Sequence, residues 1–172
     1  RQGDRRDIQG KGETARIMRI HTSAFEDGGR IPDRHARDGD DVSPALHIDD
    51  VPEEAASLAL IVDDPDAPKK TWVHWLIWGI PADASSLPEG VPTNGEVADL
   101  GGARQGKNDY GEIGYGGPQP PRGHGVHHYR FTAYALREPI DLDAGATREA
   151  LEAALEDGTL ATARLTGTYE RT

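Results

Sequence analysis

Residues 15–22 (ARIMRIHT) alternate, with Ile17 and Arg19 against Met18 and Ile20, which is the period of a strand. Residues 57–63 (SLALIVD) form an apolar run. The following Asp-Pro-Asp-Ala-Pro at 64–68 must end it, because proline brings no N–H to a ladder. Residues 71–80 (TWVHWLIWGI) and 127–136 (HHYRFTAYAL) are rich in β-branched and aromatic side chains and predict two further strands. One segment has a helical period. Thr147 caps TREALEAALEDG, Leu151 and Leu155 lie one turn apart, and Gly158 falls just past the end. Residues 159–170 are ambiguous at first and strand-like later.

Polar, turn-rich stretches separate these segments. Residues 26–44 predict a surface excursion rather than a linker, since strand-like sequence resumes on both sides. Residues 81–106 are again turn-rich, and 110–121 form a Gly/Pro loop. Residues 1–14 are polar and aperiodic and predict a flexible tail, which leaves 15–172 as a single domain. No internal repeat is visible. The sum is a mainly β, mostly antiparallel domain with long loops and one or two C-terminal helices.

Composition sharpens this picture. Glycine and proline, 21 and 12 of 172 residues, argue against a helical bundle. No apolar run approaches the roughly 20 residues of a membrane span. A net charge of −11 argues against duplex DNA or an anionic membrane as main partner. Four lysines against 15 arginines and 18 aspartates suit concentrated salt, and a GC-rich genome accounts for them equally well. The absence of cysteine removes disulfides, thiolate metal sites and thiol catalysis. The expected compartment is the cytoplasm. A chain opening on Arg1 also leaves room for a removed leader or lipid anchor upstream.

Strand periodicity then selects candidate chemistry, because residues two apart share a face. Leu58, Leu60 and Val62 share one, and Asp64 joins them if the strand persists. His74 shares a face with Trp72, Leu76, Trp78 and Ile80. His127 and Tyr129 share one with Phe131, Ala133 and Ala135, while His128 and Arg130 point the other way. Three strands thus direct ionisable or hydroxyl groups into an apolar interior, where each needs a partner. Each group also has a bland reading. A lone inward histidine is more often a satisfied core residue, Asp64 and Asp66 serve as turn aspartates, and the three tryptophans serve as core or interface. His124, His127 and His128 give H-x-x-H-H, yet neighbours on a strand face apart and do not easily share an ion. A metal held by Asp64, His74 and His127 is geometrically open. No G-x-S-x-G, P-loop or dinucleotide fingerprint is present. Neither a cofactor nor a resident metal is expected.

Several ordered motifs agree with one family. Asp64-Pro65-Asp66-Ala67-Pro68, Trp72-Val73-His74-Trp75, Gly114 to Pro121 (GYGGPQPP) and His127-His128-Tyr129 with Phe131 resemble the signatures of the phosphatidylethanolamine-binding proteins (PEBP), in particular the prokaryotic Raf kinase inhibitor-like branch. Ala24-Phe25, Gly28 to Pro32, Asp38-Gly39, Ser43-Pro44 and Leu165 to Tyr169 extend the likeness over about residues 15–170. The resemblance implies two packed antiparallel β-sheets with peripheral helices and a small anion pocket. It places Asp64, Asp66, His74, His127 and Tyr129 in that pocket, with Gly117, Gln119, Pro120 and Pro121 as rim. Gln119 stands where many prokaryotic relatives carry cysteine.

The expected function is non-catalytic binding of a small anion, such as phosphate, a phosphoethanolamine-like or phospholipid head group, or a carboxylate. In that reading Asp64 holds His74 or His127 cationic, and N–H groups near Gly116 and Gly117 help to hold the ligand. Regulation of a partner such as a kinase or protease is one extension, and a homodimer using the Trp-rich strand is another. The rival reading is a hydrolase or lyase, with or without assistance from a metal, with His74 or His127 as general base beside Asp64.

Overall fold

A computed structural model describes residues 17–172; the expected 1–14 tail lies outside them. The strands are β1 (Arg19–His21), β2 (Leu46–Asp49), β3 (Ser57–Asp64), β4 (Trp72–Pro81), β5 (Ser86–Leu87), β6 (Glu96–Val97), β7 (Ala103–Gln105), β8 (His127–Leu136) and β9 (Thr159–Tyr169). The helix α1 spans Arg148–Leu155. The large sheet runs β6-β7-β4-β3-β8-β9 and the small one β1-β2-β5. Pairing within both is antiparallel.

Every residue of β3 is buried, because both faces of the large sheet are covered. On one face Leu58, Leu60 and Val62 pack with Trp75, Ile77, Phe131 and Ala133 against Ile20, Leu46, Ile48 and Leu87 of the small sheet. On the other, Ala59, Ile61, Val73, Leu76 and Trp78 meet Leu151 and Leu155 of α1. Each such side chain contributes roughly 1.5–3 kcal/mol by leaving water. Thr147 caps α1 as expected, its hydroxyl accepting from Ala150 N at 3.2 Å.

Alternation across β4 departs from the strict period of two. Val62 lies opposite Trp75, and Asp63 opposite Val73, so His74 is an extra residue in a bulge. A bulge inverts the alternation beyond it. Leu76 and Trp78 therefore face α1 rather than sharing His74's side, and Trp75 and Ile77 take the inner face. His74 itself still points inward.

Other expectations also change. The 26–44 stretch is not merely superficial: it buries Ile31, His35, Ala36 and Ser43. Residues 81–106 contain β5, β6 and β7, strands too short to show a period. Residues 159–169 are one continuous strand, because β8 offers a partner along the whole length. Trp75 and Trp78 are fully buried, and Trp72 is partly exposed. Among the described residues no helix is long and apolar enough to cross a membrane.

Candidate functional site

Antiparallel pairing brings the end of β3 and the starts of β4 and β8 to one edge of the inter-sheet core. There the chain leaves a cavity of about 350 Å³. Asp64, His74, His127 and Tyr129 lie in it, with Trp72, Tyr110, Ala67 and Pro68 as wall and Gln119, Pro120 and Pro121 at the Gly/Pro side. A hollow of about 470 Å³ near α1 carries several charges that are already paired, beside Lys107 and Glu149. There Arg148 meets Asp63 and Glu152, and Lys70 meets Asp109.

Asp64 is fully engaged. Oδ1 accepts the Asp66 N–H at 2.8 Å, and Oδ2 lies 2.6 Å from His127 Nδ1. The carboxylate thus fixes the imidazole's Nδ1–H tautomer, the arrangement that orients a functional histidine. His127 Nε2 lies 2.7 Å from His124 Nδ1, so both its nitrogens have partners. His74 donates Nδ1–H to the Gly116 carbonyl at 2.7 Å, and its Nε2 has no protein partner among the described residues. Burial pushes the His74 pKa down, against smaller opposing pulls from the Gly116 carbonyl and Asp64. His74 is therefore neutral at pH 7, which goes against one of the two alternatives in the expectation that Asp64 holds His74 or His127 cationic; the carboxylate bonds His127.

Tyr129 is 1 % exposed, and its hydroxyl has no hydrogen-bond partner among the described residues. Burial, reinforced by Asp64, raises its pKa far above the phenol range, so it stays a neutral donor. An orphaned buried hydroxyl costs roughly 1–3 kcal/mol unless something in the cavity meets it. The His74 ring stands edge-on to Tyr129, with centroids 5.1 Å apart.

Two of the expected site residues lie elsewhere. Asp66 turns outward to the His128 N–H and Nδ1 at 2.9 and 2.7 Å, and the His128 hydrogen bond lowers its pKa. Gly117 stands behind the wall. Its N–H donates to Asp41 at 2.7 Å, and any Cβ there would strike the His35 carbonyl. The Gly116 N–H donates to the His74 carbonyl at 2.9 Å. Neither amide is free for an anion, because both hold the Gly/Pro loop in place.

Sequence reasoning missed three contributors. Trp72 and Tyr110 supply wall, and Tyr110 is anchored by its hydroxyl on the Gly117 carbonyl at 2.7 Å and by Arg37 4.0 Å over its ring. His124 drew attention only as a metal ligand. His128 does face away from His127, as the strand period requires. Among the described residues no group of three His, Cys, Asp or Glu is placed to hold a metal ion.

Two packed antiparallel sheets with one peripheral helix and a cavity at the strand ends define a β-fold binding protein. The phosphatidylethanolamine-binding protein family model matches residues 21–170, and the chain belongs to that family. It is 51 % identical to a UPF0098 protein of Methanothermobacter thermautotrophicus, over 90 % of this chain and 99 % of that one. Among solved structures it is similar to a PEBP homologue from Chlamydia trachomatis (TM-score 0.82, 39 % identity, covering 91 % of this chain and 99 % of that one). It is also similar to Escherichia coli YbcL (TM-score 0.82, 32 % identity, 90 % and 99 % covered).

Proposed function

We propose that the cavity is a receptor for a small oxyanion of the phosphate-monoester or carboxylate class, held without chemical turnover. The observation that carries this reading is the orphaned Tyr129 hydroxyl beside the unpartnered His74 Nε2. Tyr129 donates to one ligand oxygen. His74 Nε2, neutral in the empty site, meets a second oxygen with one proton between them. That proton comes from the ligand's own acid form or is taken up by the imidazole. So few contacts against the cost of association give affinities of about millimolar to micromolar.

The sign of the pH dependence follows. The empty protein keeps His74 unprotonated by burial, and the bound anion favours the imidazolium. Binding therefore takes up a proton and strengthens as pH falls, by up to about tenfold per pH unit. Calorimetric titration with inorganic phosphate, and with sulfate whose charge is constant over this range, at about pH 5.5 and pH 8.5 tests it. Tighter sulfate binding at the lower pH is expected, and equal affinity at both overturns the receptor.

A hydrolase reading has one observation in its favour: a neutral imidazole with Nδ1 pinned and Nε2 unpartnered has the form of a general base. Turnover of simple phosphate and carboxylate esters that disappears in His74→Ala would establish it in place of the receptor.

A further inference from the structure

His124 and His127 lie in an arrangement that the anion reading leaves unused. His127 is buried and His124 exposed, on the loop between Pro121 and β8. The two ring nitrogens 2.7 Å apart hold one proton between them. The His127 Nδ1–H is committed to Asp64, so Nε2 is the only nitrogen this ring has left for a ligand, and His124 occupies it. Two glycines flank His124. Gly123 and Gly125 sit at φ +73° and +92°, with open space where a side chain would be. The loop is tethered by the Gly123 N–H on the Arg171 carbonyl and the His124 N–H on the Pro121 carbonyl.

We propose that His124 is a proton-operated latch on this cavity, a positioning residue that occupies His127 Nε2 while the two rings share one proton and releases it when both are protonated. The proposal rests on the anion reading above. Two imidazolium rings present N–H groups to one another and lose their bond. His124 then turns into water at little cost, whereas Asp64 holds His127 in place. The freed Nε2–H becomes a second imidazole donor beside the Tyr129 hydroxyl, whose ring stacks 6.5 Å from that of His127. The titratable and charged groups around the pair are Asp64 from β3, which holds His127 Nδ1, Asp66 from the turn after it, His74 from β4, His128 and Tyr129 from β8, and Arg122 and Arg171 in the flanking chain.

Calorimetry with sulfate on the whole chain at about pH 5 and pH 8 tests the latch in wild type, His124→Ala and His124→Asn. His124→Ala has no latch, so its His127 need only take one proton from solvent at Nε2 as sulfate binds, and it should bind about three- to tenfold tighter than wild type at the higher pH and equally at the lower. His124→Asn keeps a hydrogen-bonding group that does not titrate, so it should keep only the acid gain that His74 supplies and gain less than wild type. Wild-type affinities from both variants at both pH values overturn the latch and leave the receptor standing. No sulfate binding by any of the three overturns the receptor instead. The latch is then judged on the empty protein by imidazole NMR: coupled two-step titration of the His124–His127 pair supports it, and independent single steps overturn it.

Discussion

Asp63 and Asp64 are neighbours in one strand, both almost fully buried, and they do opposite work. Asp63 faces α1. It accepts a two-pronged bond from Arg130, its direct cross-strand partner, at 2.8 and 2.9 Å, and a third from Arg148 of the helix at 2.7 Å. Both of its oxygens are met by permanent cations, and Glu152 also holds the Arg148 guanidinium. Asp64 faces the inter-sheet cavity. Its partner is a titratable imidazole, and beyond it lie a free His74 nitrogen and an unpartnered hydroxyl. A buried carboxylate given fixed cations becomes a bolt between layers. Given titratable partners and a space, it becomes the base of a site.

The largest expected effect comes from removing the bolt. Asp63→Ala leaves two guanidiniums facing an apolar layer and should cost about 2–3 kcal/mol in urea unfolding. That is below the figure for fully buried pairs, because both arginines are partly exposed. Sulfate affinity should stay at the wild-type value, and a matching loss of binding would break the distinction. Asp64→Asn should cost less, about 1–2 kcal/mol, since one amide oxygen cannot serve both the Asp66 N–H and His127 Nδ1. Its signature is a changed tautomer for His127 by imidazole NMR, with His74 undisturbed. An Asp64→Asn cost exceeding that of Asp63→Ala reverses the assignment. Tyr129→Phe sharpens the contrast with the smallest structural change. Removing an orphaned hydroxyl should leave the urea midpoint equal or slightly higher, while sulfate binding weakens about tenfold. A clear loss of stability would mean that the hydroxyl is a core contact rather than a ligand donor.

Much of this arrangement is legible in the chain. The continuous run at 57–63, the aromatic strand at 71–80 and the alternation at 127–136 place β3, β4 and β8, because side-chain period and burial are local consequences of strand geometry. The inward positions of Asp64, His127 and Tyr129 follow from the same count. The count is wrong for β4, where the bulge at His74 depends on how two strands register against each other. The short strands β5 to β7 were invisible for a related reason: two or three residues carry no period.

Residue identity and strand period picked out Asp64, His127 and Tyr129 as inward, and the family motifs grouped them with His74 in one expected pocket, whereas the burial of His35, Asp63 and Tyr115 was not read. Their protonation and their partners were settled only by tertiary structure. His74 is neutral because the folded chain removes its water and aims the Gly116 carbonyl at it. Asp66 and Gly117 leave the site because His128 and Asp41 claim them across 62 and 76 residues. The physical reason is range: side-chain direction is set within a few residues, whereas desolvation and hydrogen-bond pairing depend on whatever the rest of the chain brings into contact.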